Sequence, residues 1–525
     1  MTRTRFAVTG ILAALAAIAA GHLVAAFTDP AASPVLAIGS TVIDLTPTPL
    51  KEWAIRQFGT ADKLVLQGSV LLGTLVLAAA AGLLARRRPD AATAVVAALA
   101  VVAGLAAVSR PSGSALDLLP ALAALVVGVV VLRRLAVLAE PEPPRPGTVP
   151  AASYRPAPGP PSATTTPSTG RAETGAGRRT FLLATVAVAV GSALAGVAGQ
   201  VRGGIRATAD VVLPRPRTPA GPLPAGLERT VAGISPLQTP TADFYRVDTN
   251  LIVPRVDVDA WRLEIDGMVE RPYSLTFAEL LALPLIERDI TLTCVSNEVG
   301  GGYVGSARWL GVRLTDLLDR AGVKGTSDQL LSAAEDGFTI STPLSAIRDG
   351  RDAMVAIGMN GEPLPDAHGF PARLVTPGLY GFVGATKWLS RLTLTTYAAE
   401  QAYWTRRQWA TDAPIKTSAR IDTPVPLSTI APGRVAIGGV AWAQHRGVGT
   451  VEVRVDDGPW QPARLGPDIG VDSWRQWYLP WEATPGLHHL SVRATDRRGV
   501  PQVAERATPF PSGSSGIQDV VVTVQ

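Results

Sequence analysis

The sequence predicts a three-part chain: an N-terminal α-helical transmembrane bundle, a central α+β domain and a C-terminal immunoglobulin-like β-sandwich. Three observations carry this. Hydrophobic residues make up 47% of the 525 residues and charged residues only 17%, with the apolar excess in roughly the first two hundred positions. Beyond about Phe244 short helical and strand patterns alternate irregularly, which reads as α+β. After Pro424 period-two strands recur at turn-punctuated spacing, as in a β-sandwich.

Five apolar runs, approximately Phe6 to Phe27, Leu64 to Leu84, Ala91 to Val108, Ala115 to Leu132 and Phe181 to Val201, approach or reach the length that crosses a hydrocarbon core of about 30 Å. The third and fourth, joined by Ser109-Arg-Pro-Ser-Gly-Ser, read as a transmembrane hairpin. Arg3 and Arg5, Arg86 to Arg88, Arg133 with Arg134, and Arg178 with Arg179 then fall on one side. The positive-inside rule makes that side cytoplasmic. Residues 1–138 are thus expected to form a four-span region, 139–178 a disordered cytoplasmic linker rich in proline, serine and threonine, and 179–201 a fifth span. Everything beyond is expected outside the cell membrane. Gly177-Arg-Arg-Thr-Phe-Leu-Leu183 resembles a twin-arginine export signal, with glycine in place of the usual serine or threonine; a simple topogenic arginine pair looks much the same. The net charge of +5 is largely explained by these flanks, so no nucleic-acid partner is implied.

Residues 202–240, rich in proline and glycine, read as a stalk. In residues 241–400, Trp261 to Gly267 alternates as a half-buried strand, Thr276-Phe-Ala-Glu279 is a capping box that starts a helix through Leu283, and Thr315 caps a second helix ended by Gly322. Residues 401–424 are a connection. In residues 425–525, Val451 to Val455 is a strand, Asp457-Gly458 a hairpin turn, and further strands run from Trp474 to Trp481 and Leu487 to Thr495.

Cys294 is the single cysteine, which excludes an intrachain disulfide and any cysteine-rich metal site. On its own it is either a buried small hydrophobe or a ligand presented where a strand breaks into a glycine-rich turn. Several motifs decide between these in order along the chain. They are Cys294-Val-Ser-Asn297, Ala307-Arg-Trp-Leu-Gly-Val-Arg-Leu-Thr-Asp-Leu-Leu318, Met359-Asn-Gly-Glu-Pro-Leu-Pro365, His368-Gly-Phe-Pro-Ala-Arg-Leu374, Pro377-Gly-Leu-Tyr-Gly381, Lys387-Trp388 and Tyr403-Trp-Thr-Arg-Arg-Gln-Trp409. Together they resemble the sulfite oxidase family of molybdopterin-dependent oxidoreductases, over about Phe244 to Thr523. The resemblance implies a molybdopterin-binding α+β domain followed by a dimerisation-type sandwich, and hence a possible homodimer. It implies that Cys294 is the thiolate ligand to molybdenum, a role suited to a soft sulfur donor, and that the cofactor supplies oxygen-atom transfer. His368, Arg373, Ala385, Thr386 and Lys387 fall where the family holds the pterin and its phosphate, and Asp336 near a loop that carries a cofactor-contacting aspartate.

The pattern departs at the substrate side. In Phe244-Tyr-Arg-Val-Asp-Thr249 the family's sulfite-binding arginine is Val247, and its asparagine–histidine pair is Asp248-Thr249. A second family arginine is Val299, and the active-site tyrosine is Trp409. Arg246 is displaced by one residue, and Arg308 is a candidate to restore positive charge. The expected function is a membrane-anchored molybdenum oxidoreductase acting by oxygen-atom transfer on a small extracytoplasmic substrate. The alternatives are a true sulfite dehydrogenase, or a non-catalytic receptor or scaffold that keeps the fold. No haem is expected, because the chain has no Cys-x-x-Cys-His and only His22 falls in an apolar run. Electrons are therefore expected to pass to or from a separate electron-transfer protein.

Overall fold

The computed structural model describes residues 2–58, 61–139, 186 and 211–525. The chain divides into two units, Met1–Ile205 and Arg206–Gln525.

The first unit contains α1 (Thr2–Ala25), α2 (Pro34–Leu45), α3 (Thr48–Phe58), α4 (Asp62–Ala85), α5 (Pro89–Val108) and α6 (Leu118–Ala139). Among the described residues four helical segments are long and apolar enough to cross a membrane: Arg3–Ala25, Lys63–Ala85, Pro89–Val108 and Ala115–Ala139. They coincide with the first four expected spans. The expected fifth span lies outside the described residues except for residue 186, as does the linker except for its first residue. α1 crosses α4 where glycine removes the Cβ. A Cβ on Gly10 would sit 1.9 Å from the Ala78 carbonyl oxygen, and one on Gly82 would sit 2.1 Å from that of Phe6. These approaches bring the start of α1 beside the end of α4, so Arg3 and Arg5 share an end of the bundle with Arg86 to Arg88. The short α2 and α3 were not legible as elements. Pro30 and Pro34 open helical turns, and the Asp29 carboxylate accepts from Ala31 N at 2.9 Å. Arg110, before α6, is paired with Asp29 and with Asp117, the latter at 3.3 Å.

The second unit begins earlier than expected. Residues 211–240 are not a free stalk: Leu237 and Ile234 are buried, Thr218 bridges to Ile286, and the Leu237 carbonyl accepts from Trp474 Nε1 at 2.8 Å. Proline-rich sequence lacks regular backbone pairing but still buries apolar side chains when a surface is offered. Strands β1 (Arg262–Gly267), β2 (Tyr273–Thr276), β3 (Leu285–Thr293), β4 (Val304–Arg313), β5 (Gln329–Ala334), β6 (Thr339–Pro343), β7 (Met354–Met359), β8 (Glu362–Pro363), β9 (Arg373–Val375) and β10 (Leu389–Thr395) follow. They form one sheet of order β2-β1-β10-β5-β6 and a second of order β3-β4-β7-β8 with β9 paired to β7.

Both faces of the second sheet are covered. Val355 and Ile357 of β7 face a core shared with Leu263, Ile265, Leu392 and Leu394 of the first sheet. Met354 and Ala356 alternate to a separate core around Trp309, Ile290 and Phe370. This explains why every residue of β7 is buried: pleating sends successive side chains to opposite faces. Each fully buried leucine or isoleucine contributes about 1.5–3 kcal/mol relative to exposure. The Thr276–Glu279 capping box is present and starts a helix over Phe277–Leu281. The second helix runs Leu314–Ala321 with Arg313, not Thr315, at its cap position, and Gly322 ends it with φ +71°.

The C-terminal region contains β11 (Ser418–Thr423), β12 (Thr429–Ile430), β13 (Gly433–Trp442), β14 (Val448–Val455), β15 (Gln461–Pro462), β16 (Arg464–Leu465), β17 (Arg475–Ala483), β18 (Gly486–Asp496) and β19 (Gln518–Val524). Their sheets have orders β11-β13-β17-β16 and β12-β19-β18-β14-β15. Neither sheet closes into a barrel. Ile421, Ile437 and Trp477 of the first share a buried cluster with Val453, Val492 and Val522 of the second.

Candidate active site

β3 ends at Thr293 and delivers Cys294 into a tight turn, where Asn297 N donates to the Cys294 carbonyl and Cys294 N to that of Tyr303, each at 3.0 Å. The Asn297 carboxamide closes this turn, accepting from Tyr303 N at 2.8 Å. Cys294 is 9% exposed. Burial pushes its thiol above the usual range, opposed by hydrogen bonds from Ser296 and by the charge of Lys387. Tyr245 and Tyr380 line the same region. Burial raises Tyr245, with the negative charge of a Cys294 thiolate adding to the effect. Tyr380 is pushed up to about 12, mainly by burial, and Cys294 contributes again.

The other expected residues converge on β9 and the loops flanking the short helix Gly381–Gly384. Arg373, at 6% exposure, opens β9. Its Nη1 donates to the His368 carbonyl at 3.1 Å and its guanidinium lies 5.0 Å from the Trp309 ring. Its Nε is buried without a partner, and among the described residues no carboxylate pairs with it. Burial lowers Arg373 to about 10. His368 is buried edge-on to Phe244 at 5.6 Å. Its value falls to about 4, first through burial and then through the charges of Arg373 and Lys387, so it is neutral at physiological pH. The Ala385 carbonyl faces Arg373 Nη2 at 3.4 Å, and Thr386 Oγ1 lies 2.6 Å from Ser332 Oγ. Gly369, at φ +107°, lets these segments close up, since a Cβ there would meet Lys387 Cα at 3.0 Å.

Lys387 Nζ reaches the Asp248 carboxylate at 2.6 Å, and burial lowers it to about 8 with Asp248 holding it up. Asp248 also accepts from Arg246 Nε at 2.7 Å. The sequence marks Asp248 only as a departure; the structure makes it the counter-ion of the cluster. Asp336 accepts from Phe338 N at 2.9 Å. Burial raises it, offset by that bond and one from the Asn250 side chain, while Asp248 raises it further. Asp336 thus shares its surroundings with Asn250 and Asp248. Tyr245 and Tyr380 were not singled out, although both lie inside quoted motifs, next to Phe244 and in Pro377 to Gly381.

The substrate-side readings fare unevenly. Val247 is 45% exposed, and Arg246 is engaged with Asp248. Arg308 supplies no free charge to the pocket, because β4 sets it opposite Asp289 on β3 and its Nη2 pairs there at 2.7 Å. Trp409 is buried against Phe382, Trp404 and Phe510, with ring centroids 5.2–5.7 Å away, and its indole N–H has no partner.

Among the described residues no group of three or more His, Cys, Asp and Glu side chains converges to hold a metal ion. A metal at Cys294 requires most of its ligands from a cofactor. The residues present fit one that is anionic and aromatic: a buried guanidinium with an unpartnered N–H, a partly buried lysine and a neutral histidine that can donate to a ring edge.

With that geometry in view, residues 250–404 match the family model described as oxidoreductase molybdopterin binding domain. Human mitochondrial sulfite oxidase is 31% identical over 303 residues, covering 48% of this chain and 55% of that protein. The uncharacterized oxidoreductase YuiH of Bacillus subtilis is 33% identical over 162 residues, covering 31% of this chain and 79% of that protein. Among solved structures, the sulfane dehydrogenase SoxCD from Paracoccus pantotrophus matches at 25% identity and a TM-score of 0.48, over 55% of this chain and 83% of that one. The chain belongs to the family of proteins built on the oxidoreductase molybdopterin-binding domain. It spans about half the length of the mitochondrial sulfite oxidase it matches.

Proposed function

We propose that this protein is a membrane-anchored molybdopterin-dependent oxidoreductase that performs oxygen-atom transfer on a small substrate outside the cytoplasm. The observation that supports it best is the buried Arg373, unpaired by any described carboxylate, grouped with His368 and Lys387 while the single cysteine stands in the adjoining turn. When bound, the molybdenum cofactor supplies the two-electron oxygen-atom chemistry. Cys294 would give its thiolate to the metal; a metal deprotonates a coordinating thiol outright, which overrides the burial effect. Arg373 and Lys387 would hold the cofactor's phosphate, with the backbone of Ala385 and Thr386 shaping the pocket. His368 would donate to the pterin from its neutral form, and Asp336 would close the pocket on the Asp248 side.

On this reading the C-terminal sheets form an immunoglobulin-like sandwich suited to dimerisation, with residues 241–400 as the catalytic domain. The four basic clusters, with the apolar run from Phe181 to Val201 taken as a fifth crossing, support a catalytic unit outside the cell membrane, and a separate electron-transfer protein completes the cycle. The substrate carries less charge than sulfite, because Val247 and Val299 replace cations and Arg246 and Arg308 are committed to carboxylates. The test is a steady-state screen of the metal-loaded protein against sulfite, sulfoxides and N-oxides with artificial electron donors and acceptors, beside Cys294→Ser. Turnover of a neutral S-oxide or N-oxide, abolished in Cys294→Ser, is expected. Equal turnover in both proteins would exclude the role of Cys294, and no turnover by either metal-loaded protein would exclude the reading and favour a fold kept for binding alone.

A further inference from the structure

β3, the strand that ends just before Cys294, is anchored to the C-terminal region. Thr291 N donates to the Asp472 carbonyl at 2.9 Å and Trp474 N to Thr291 Oγ1 at 2.7 Å. From the segment after β13, Gln444 Nε2 lies 3.3 Å from both the Thr291 carbonyl and Thr293 Oγ1. Gln444 is 0% exposed, and its Oε1 has no partner. A carboxamide buried with one end unpaired is costly where an aliphatic side chain would fill the space. What it gains is donation to two acceptors on the last turns of a strand, one of them on the residue immediately before the thiol.

We propose that Gln444 is a positioning residue for Cys294: it fixes the end of β3 so that the sulfur is held at one place and orientation. The C-terminal region is then part of the active-site scaffold. The assignment of a metal to that sulfur rests on the function proposed above; the positioning itself does not. Strand-borne groups held by buried hydrogen bonds reach the sub-ångström precision that reactive centres need.

The experiment uses the full-length protein with three substitutions. Gln444→Leu removes the donor, Thr293→Val removes one acceptor with little change of shape, and Ser306→Ala is the control. Ser306→Ala breaks the 3.0 Å contact with Ser473 in the same interface and leaves the Gln444 bonds to β3 in place. Because Cys294 is the single cysteine, alkylation of the cofactor-free protein across pH reports on it alone. Gln444→Leu and Thr293→Val should shift the alkylation profile several-fold while Ser306→Ala does not. In the metal-loaded protein the first two should lower kcat on the order of tenfold or more with KM unchanged, and shift the electron paramagnetic resonance g values of the metal. Alkylation profiles and g values that coincide with the unaltered protein, in variants that fold, would overturn the proposal. If Gln444→Leu fails to fold, Thr293→Val decides by the same criteria. Absence of molybdenum from the unaltered protein would sink the functional reading, and the alkylation profile would still decide on Gln444.

Discussion

Replacing Asp248 with asparagine isolates the charge at the centre of the pocket. The carboxylate, 5% exposed, holds Lys387 at 2.6 Å and Arg246 at 2.7 Å. Lys387 already lies at about 8 through burial, with Asp248 holding it up. Without the carboxylate it falls further, and once below the working pH the amine sheds its proton rather than stay charged. That caps the cost at pH 7: one pK unit is about 1.4 kcal/mol. The lost charge-assisted hydrogen bond adds about 1.5 kcal/mol, so the destabilisation is about 3 kcal/mol. Arg246 is one-third exposed and adds little. The lysine's folded value lies below its unfolded one, so the unfolded chain binds more protons between the two and stability rises with pH there. In the unaltered protein that window opens only above about pH 8. In Asp248→Asn it opens lower, and the variant should regain up to about 1.4 kcal/mol per pH unit relative to its parent as pH rises toward about 8. Urea unfolding of the cofactor-free protein, followed by tryptophan fluorescence at several pH values, measures this. A pH-independent difference, or a cost under about 1 kcal/mol at the acid end, refutes the argument.

Other outcomes follow from the same geometry. His368, held at about 4 against an ordinary 6.5, binds fewer protons when folded than unfolded across that interval. Stability should therefore fall as pH drops through it, and His368→Gln should flatten the slope in thermal melts. Lys387→Met should cost cofactor retention more than stability, seen as lower molybdenum content after gel filtration with a folded circular dichroism spectrum. Val299→Arg should improve sulfite turnover, provided the loop at Gly516, whose Cβ position lies 3.6 Å from Val299 Cγ2, moves aside; efficient sulfite turnover by the unaltered protein would show that other cations do this work. A reporter active only in the cytoplasm, fused after Gln525, should be silent.

Much of this was legible because the signals are local. The four long helices announce themselves by length and apolar content, the capping box at Thr276 by its spacing, and β14 and β18 by period-two alternation. The convergence of His368, Arg373 and Lys387 was legible only through the family resemblance, since nothing local says that residues 368 and 387 meet. What escaped depends on tertiary partners. The strap over residues 211–240 looked like a stalk because proline and glycine suppress secondary-structure signals without preventing burial. Asp248 looked like a lost asparagine until Lys387 appeared beside it, and Arg308 looked available until the β3–β4 register set it opposite Asp289. Gln444 carries no local mark at all, because its acceptors lie 153 and 151 residues away.

The central claim is that Cys294 is the protein's own ligand to a molybdenum cofactor. X-ray absorption at the molybdenum edge of the purified protein, beside Cys294→Ser, tests it most directly. The account predicts stoichiometric molybdenum in the unaltered protein and one sulfur neighbour fewer in Cys294→Ser. The same sulfur coordination in both proteins, or no molybdenum in the unaltered one after expression with an intact cofactor supply, contradicts it.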